Sequence, residues 1–391
     1  MDPPRFIDHY RGLIAVLQRC GLPEPWLSSS HSRLRTLYQL FVVFSITYII
    51  FSYVYTFIIS SMPFQDFCAI GIAGGCNVCG ILVFIHHKRY STRIHELTDT
   101  MDAICKQIMT SDLNKKDEFL KEYERNSKIM TALANYSFYL NFTTTCSYFL
   151  SLPAIEWYTG NYRANFPLAI SNSFNDRIPG VYELIVLAIA GSTSISTATK
   201  STYDCLFVSL LKIQTTFFKY LYETIDNLKG DVQSQHHFLE WIRLHQEIMK
   251  NNEELLQTFS PVVIIYYLLV INIVVCGAFV ESKKENDHLI QSISVGSYVV
   301  VTILYYFLLS NAADELTNEA QKLTFAGYAL PWYQMKKRNT SMIKLILTMS
   351  NKSIEITAYK APVFLLNREM FVGFMVAALS AFLTFCKMGG S

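Results

Sequence analysis

Seven stretches of the chain carry almost no charge, and they are separated by segments rich in Lys, Asp and Glu. They run Tyr38–Ile59, Phe67–Ile85, Tyr136–Trp157, Val181–Ala198, Val262–Val280, Leu289–Leu309 and Pro362–Met388. A helix rises about 1.5 Å per residue, so about twenty such residues cross ~30 Å of hydrocarbon. Lone strands would leave backbone groups unpaired in lipid, and a closed barrel would show shorter, alternating segments, so the pattern predicts transmembrane helices.

The segments between the spans differ sharply in basic residues. Lys and Arg number five before the first span, nine in 86–129, six in 199–256 and seven in 311–361. The alternate segments hold none, two, two and one. Basic residues are retained on the cytoplasmic side, which predicts a cytoplasmic N-terminus and an extracellular C-terminus. A G-protein-coupled receptor has the opposite orientation. The chain also lacks Asn-Pro-x-x-Tyr near the end of the last span, and its Asp176-Arg177 pair falls in an extracellular loop. The sequons at Asn135, Asn141, Asn339 and Asn351 lie within spans or inside the cell on this topology, so no glycan is expected on them.

The basic segments are patterned. Leu206, Leu210, Ile213, Phe217 and Leu221 keep one apolar face running on from the fourth span, and a break follows at Asn227–Gly230. Trp241, Leu244, Ile248 and Leu255 mark a second stripe leading into the fifth, and Met342, Leu345, Ile346 and Met349 a third after the sixth. Such faces must be buried. Two arrangements bury them: a helical intracellular bundle that also contacts other subunits, or helices lying on the inner leaflet.

Composition agrees with the spans, since 51% of residues are hydrophobic. No short apolar segment with a cleavage site opens the chain, so a cleaved signal peptide is not expected. Six of the nine cysteines, Cys68, Cys76, Cys79, Cys146, Cys276 and Cys386, fall in or at the ends of apolar segments. Cys76-Asn-Val-Cys79 lacks the second pair a zinc site needs, and packing is the expected role. His86, His87, His236, His237 and His245 are expected on solvated polar faces. Phosphate-binding loops, nucleophile elbows and His-Glu-x-x-His are absent from the sequence, so neither an enzyme nor a cofactor is indicated.

The last span is two-sided. Gly373, Ala377, Ser380, Thr384 and Lys387 share one helical face, while Phe371, Phe374, Met375, Phe382 and Phe385 lie off it. The small, polar side suits either a water-filled path or a closely packed neighbouring helix. Its uncharged part, Met370 to Phe385, is short for the hydrocarbon, so its inner end is expected to meet water or protein.

From the end of the sixth span the chain resembles the insect odorant receptor family. Ser310-Asn311-Ala312-Ala313-Asp314-Glu315-Leu316 is similar to that family's Gly-Asn-x-x-x-x-Leu region. Ala-Gly-Tyr328-Ala-Leu-Pro-Trp332-Tyr333 is similar to its Ala-x-Tyr-x-x-x-Trp-Tyr. Met349-Ser350-Asn351-Lys352-Ser353 and Ile356-Thr357-Ala358 follow in the same order, with Met349 and Ser353 in place of the usual Arg and Pro. Gustatory receptors and the odorant co-receptor end in Thr-Tyr, five apolar residues and Gln-Phe. Here that register reads Ser380-Ala381, Phe382 to Cys386 and Lys387-Met388, which points to a ligand-selective subunit.

The resemblance implies an all-α membrane protein with seven transmembrane helices and an anchor bundle of helical cytoplasmic extensions. On this division, residues 1–310 carry spans one to six with the ligand pocket, 311–360 anchor helices, and 361–391 a pore-lining helix. It implies a subunit of a ligand-gated, non-selective cation channel in the plasma membrane of olfactory neurons, gated by small volatile odorants. The partners are co-receptor subunits around one shared pore, in a tetramer. The pocket it implies lies between the outer halves of spans two, three, four and six, giving Ile70, Tyr148, Phe149, Tyr182, Leu187, Gly191 and Tyr298 as candidates. Ser380, Thr384 and Lys387 become pore candidates, with Leu383 as a hydrophobic constriction. Trp157 and Tyr158 are expected as interfacial anchors. The rival classes are a metabotropic receptor, which the orientation disfavours, and a small-solute transporter, which would show repeated halves or broken helices.

Overall fold

A computed structural model describes residues 5–22, scattered positions between 40 and 58, and 64–111, 113–159, 180–225, 235–283, 289–334, 337–351, 354–358 and 361–388. The break expected at Asn227–Gly230, Asp176-Arg177 and Ser353 lie outside them. The expected first span is helical at every described position between 40 and 58, and Leu40, Phe44, Phe51 and Ile58 there are exposed.

Two short helices open the fold, α1 (Phe6–His9) and α2 (Arg11–Arg19). Long helices follow: α3 (Phe64–Thr110), α4 (Lys116–Thr159), α5 (Val181–Thr224), α6 (Gln235–Lys283) and α7 (Leu289–Tyr328). Then come a 3₁₀ turn (Trp332–Gln334), α8 (Lys337–Ser350), strands β1 (Thr357–Ala358) and β2 (Ala361–Leu365), and α9 (Arg368–Met388). At 1.5 Å per residue the 47 residues of α3 span about 70 Å, more than twice the hydrocarbon thickness. Much of each long helix must therefore project beyond the membrane. Among the described residues, four helices are long and apolar enough to cross it, within Phe67–Thr110, Val181–Thr224, His236–Val280 and Ile293–Tyr328. The molecule is a multi-pass, helical membrane protein.

One continuous core joins the apolar spans to their extensions. Leu206, Leu210, Ile213, Phe217 and Leu221 on α5 are all buried, as are Trp241, Leu244, Ile248 and Leu255 on α6. On α8, Ile346 is buried and Met342 packs against the core, while Leu345 stays exposed. Polar clasps fix the helices' rotation: Gln214 donates to Asn251, and Asn251 donates to the Leu97 carbonyl at 3.2 Å, tying α5, α6 and α3 together. The N-terminal helices dock through Phe6, Tyr10, Leu13 and Leu17, and the Asp102 carboxylate on α3 accepts the Phe6 backbone N–H at 2.7 Å. Outside the core, Leu184, Leu187, Leu268, Ile293, Val300 and Leu304 are exposed on the apolar parts of their helices, where lipid would meet them. Trp157 and Tyr158 stand exposed at the end of α4.

Two expectations are corrected. The apolar stretch beginning at Pro362 is not one helix: β2 pairs antiparallel with β1, Thr357 opposite Leu365, and the helix starts only at Arg368. Pro362 lacks the N–H a helix interior needs but fits a two-stranded edge. Second, His86, His87 and His245 are buried, not solvated. One ring nitrogen of His86 pairs with the Tyr203 hydroxyl at 2.7 Å and the other with the Thr258 carbonyl at 2.9 Å, so the imidazole is satisfied without water. Helix α7 runs unbroken from the sixth apolar stretch through the Ser310–Leu316 motif to Tyr328.

Two of the sequons, Asn141 and Asn339, are buried. Enzymatic deglycosylation of the expressed protein is expected to leave its mass at these sites unchanged. A glycan found on Asn339 would contradict both the burial and the cytoplasmic placing.

Candidate functional site

Helix α5 is buried on nearly every side although its span is rich in Ser and Thr: Ser192, Thr193, Ser194, Ser196, Thr197 and Thr199 are all buried. Such hydroxyls survive in an apolar environment by bonding to carbonyls of their own helix. Thr199 donates to the Ile195 carbonyl at 2.7 Å and Thr202 to that of Ala198 at 2.7 Å. Others reach across to neighbours. Asn77 on α3 donates to the Thr193 hydroxyl at 3.0 Å and accepts from Ser196 at 3.1 Å, and the Thr145 and Thr197 hydroxyls pair at 3.4 Å.

Between α3, α4, α5 and α7 this packing leaves a small cavity of about 50 Å³. Ala69, Ile72, Ala73 and Cys76 of α3 form one wall, with Thr144, Thr145, Tyr148 and Phe149 of α4 facing them. Thr193 and Thr197 of α5, and Ser294, Val295 and Tyr298 of α7, complete it. The lining is aliphatic and aromatic with a few hydroxyls, suited to an apolar molecule carrying a single polar group. The Cys76 thiol donates to the Tyr298 hydroxyl at 2.8 Å, joining opposite walls.

Of the pocket candidates, the structure brings Tyr148, Phe149 and Tyr298 together on the cavity wall. Ile70 packs behind it with Phe149 and Ile189, Tyr182 is buried outside the lining, and Leu187 is 57% exposed on the outer side of α5. Gly191 is not among the lining residues, and a side chain there would meet nothing within 4 Å. Sequence reasoning missed Cys76 and the threonines Thr144, Thr145, Thr193 and Thr197. The available signal was the clustering of hydroxyls within apolar spans, which marks helix faces turned away from lipid.

One turn beyond Thr197 on the same face of α5 lie Lys200 and Asp204, continuing the i, i+4, i+7, i+11 series from Thr193. Their side chains are 7% and 4% exposed and form an ion pair at 2.7 Å. The Lys200 ammonium also sits 5.1 Å from the Tyr266 ring centroid on α6. A charged pair thus underlies the cavity.

Helix α9 packs by its bulky side. Phe374 and Ala378 are buried, with Phe371, Met375, Ala381 and Phe382 partly covered. The Phe374 ring lies 4.8 Å from Tyr306 of α7 and 6.2 Å from Tyr267 of α6. The other side, including Gly373, Ala377, Ser380, Leu383, Thr384 and Lys387, is exposed in the single chain. At its start, Asn367 accepts the Met370 N–H at 2.7 Å, and Arg368 donates to Asn311 of α7 at 2.9 Å. Tyr298 on the cavity wall and Tyr306 against α9 are two turns apart on α7, so one helix touches both features.

Comparison with known proteins identifies the fold. Two solved structures of the insect olfactory receptor OR5 from Machilis hrabei are similar over nearly the whole length. The one in complex with eugenol is 14% identical, covers 97% of this chain and 97% of its own, and superposes with a TM-score of 0.81. The other is 15% identical, covers 96% of each chain and gives the same TM-score of 0.81. Among curated proteins no match is found. The family model described as 7tm Odorant receptor matches residues 64–378, which takes in the cavity, the ion pair beneath it and the first half of α9. The chain belongs to the 7tm odorant receptor family.

Proposed function

We propose that the chain is the odorant-binding subunit of a heteromeric, ligand-gated, non-selective cation channel, with seven spans, a cytoplasmic N-terminus and an extracellular C-terminus. The observation that carries this reading is the two-sidedness of α9, whose Phe374 side packs on α6 and α7 while Gly373, Ala377, Ser380 and Thr384 are left uncovered among the described residues. One copy of a helix cannot enclose a conduit. A ring of such subunits, with co-receptor chains completing a tetramer, would turn Ser380, Leu383, Thr384 and Lys387 toward a shared pore. The extensions of α5, α6, α7 and α8 would then form the cytoplasmic anchor.

The ligand class follows from the cavity. Its walls suit a small, mostly apolar volatile, and the similar OR5 structure was solved in complex with eugenol. Ligand gates only by binding the open state more tightly than the closed one. Helix α7, which carries both Tyr298 and Tyr306, is the direct mechanical link between cavity and α9.

The test is to express the chain with and without co-receptor and record odour-evoked currents while G-protein signalling is blocked. Currents are expected only with the co-receptor and to persist under the block. Thr197→Val and Phe149→Ala are expected to shift the half-maximal odour concentration about tenfold, corresponding to the loss of roughly 1.4 kcal/mol of ligand contact. Their reversal potential should not change. Currents abolished by the block, or solute uptake by the chain alone, would replace the channel reading with a metabotropic or transport one.

A further inference from the structure

Cys68 on α3 and Cys276 on α6 fall in one buried cluster with Phe279 and Val280. Both cysteines are buried, at 0% and 5% exposure. The Cys276 sulfur lies directly against α3: a Cβ added at Gly71, one turn from Cys68, would stand 3.7 Å from it. Two other cysteines in the spans are matched to different groups, Cys76 to the Tyr298 hydroxyl and Cys146 to the Ser194 hydroxyl.

The position of the pair gives it meaning. Ala69 and Ile72, which pack against this cluster, also line the ligand cavity. On the other side the cluster is covered by Phe382 of α9. The two sulfurs therefore sit between the cavity wall on α3 and the last helix, where α3 meets α6.

We propose that Cys68 and Cys276 form a reversible redox site, closed to a disulfide by hydrogen peroxide, that clamps α3 to α6 between the ligand cavity and α9. One sulfur attacks the peroxide O–O bond, giving a sulfenic acid and one water. The second thiol attacks that sulfur, forming the S–S bond and releasing the second water. Two thiols lose two electrons in total, one peroxide gains them, and the thiol protons leave in the waters. A small thiol reductant reverses the step by exchange. Thiols on facing helices within one cluster need only a local approach to reach the ~2.05 Å bond. Peroxide is uncharged and little larger than water, so it reaches a buried site that bulky oxidants do not. The site goes beyond the channel reading and stands or falls separately from it.

The test uses the full-length receptor purified in detergent, treated with hydrogen peroxide, alkylated and digested without reductant. Mass spectrometry is expected to find the Cys68 and Cys276 peptides joined, two hydrogens lighter than their sum, and separated again by dithiothreitol. The same treatment should raise the melting temperature by roughly 2–4 °C, reversibly, in the wild type and in neither Cys68→Ala nor Cys276→Ala. Either alanine variant suffices if the other does not fold. Recovery of both cysteines as separate alkylated or over-oxidised peptides would overturn the site. A cross-link without a melting shift, or a shift that persists in the alanine variants, would overturn the clamp.

Discussion

Lys200→Met is expected to remove nearly all folded receptor from the cell surface, and Lys200→Met combined with Asp204→Leu to bring a substantial part of it back. Both side chains are more than nine-tenths buried, they pair at 2.7 Å, and the ammonium has the Tyr266 ring as its further neighbour. Removing the cation alone leaves a carboxylate buried in an apolar bundle. Breaking a buried pair in this way costs about 3–5 kcal/mol, a large share of a net stability of about 5–15 kcal/mol. Replacing both charges by apolar groups of similar volume removes the uncompensated charge and most of the cost. Surface labelling together with thermal unfolding in detergent checks this. If the double variant is as deficient as the single one, the ion pair is not the source of the loss.

Trp241→Ala is expected to destabilise the helical extensions by about 3–5 kcal/mol, the usual cost of emptying a fully buried aromatic site. Trp241 is 0% exposed, and its indole N–H donates to the Leu221 carbonyl at 3.1 Å. That carbonyl lies in the last turn of α5 and also accepts the Ile225 N–H at 3.1 Å, so the indole adds a second donor to it. The side chain thus fills the core between α5 and α6 and ties one helix to the other. Trp241→Phe should keep most of the packing and lose the hydrogen bond, costing about 1 kcal/mol from that bond. Melting temperatures of the purified variants should follow the order wild type, phenylalanine, alanine. An alanine variant that melts with the wild type would show that the extensions do not depend on this contact.

The cavity's composition was only partly legible in the chain. Tyr148, Phe149 and Tyr298 are reached through the family resemblance, which implies a pocket between the outer halves of the spans. Cys76 is not, and Thr193 and Thr197 show only as part of a cluster of hydroxyls, because period alone says which residues share a face and not which way that face turns. Leu187 shows the difficulty: it lies in the same helix as Thr193, yet the rotation of α5 in the bundle puts it outside. The buried histidines have the same cause. His86 follows a span and is followed by Lys88 and Arg89, which reads as a solvated end until Tyr203 and Thr258 from other helices supply its partners.

Hydrophobic periodicity by itself determined the number and placing of the apolar stretches, the stripes on α5 and α6 that became the core of the extensions, and the two-sidedness of α9. Each of these is a property of one segment in its own helical frame. The tertiary structure alone decided which faces meet to leave a cavity, that Lys200 and Asp204 lie beneath it shielded from water, that Cys68 meets Cys276, and that a β-hairpin precedes α9. These depend on axial rotation and depth between helices distant in sequence, set by the joint packing of many side chains and by polar groups finding partners across helices.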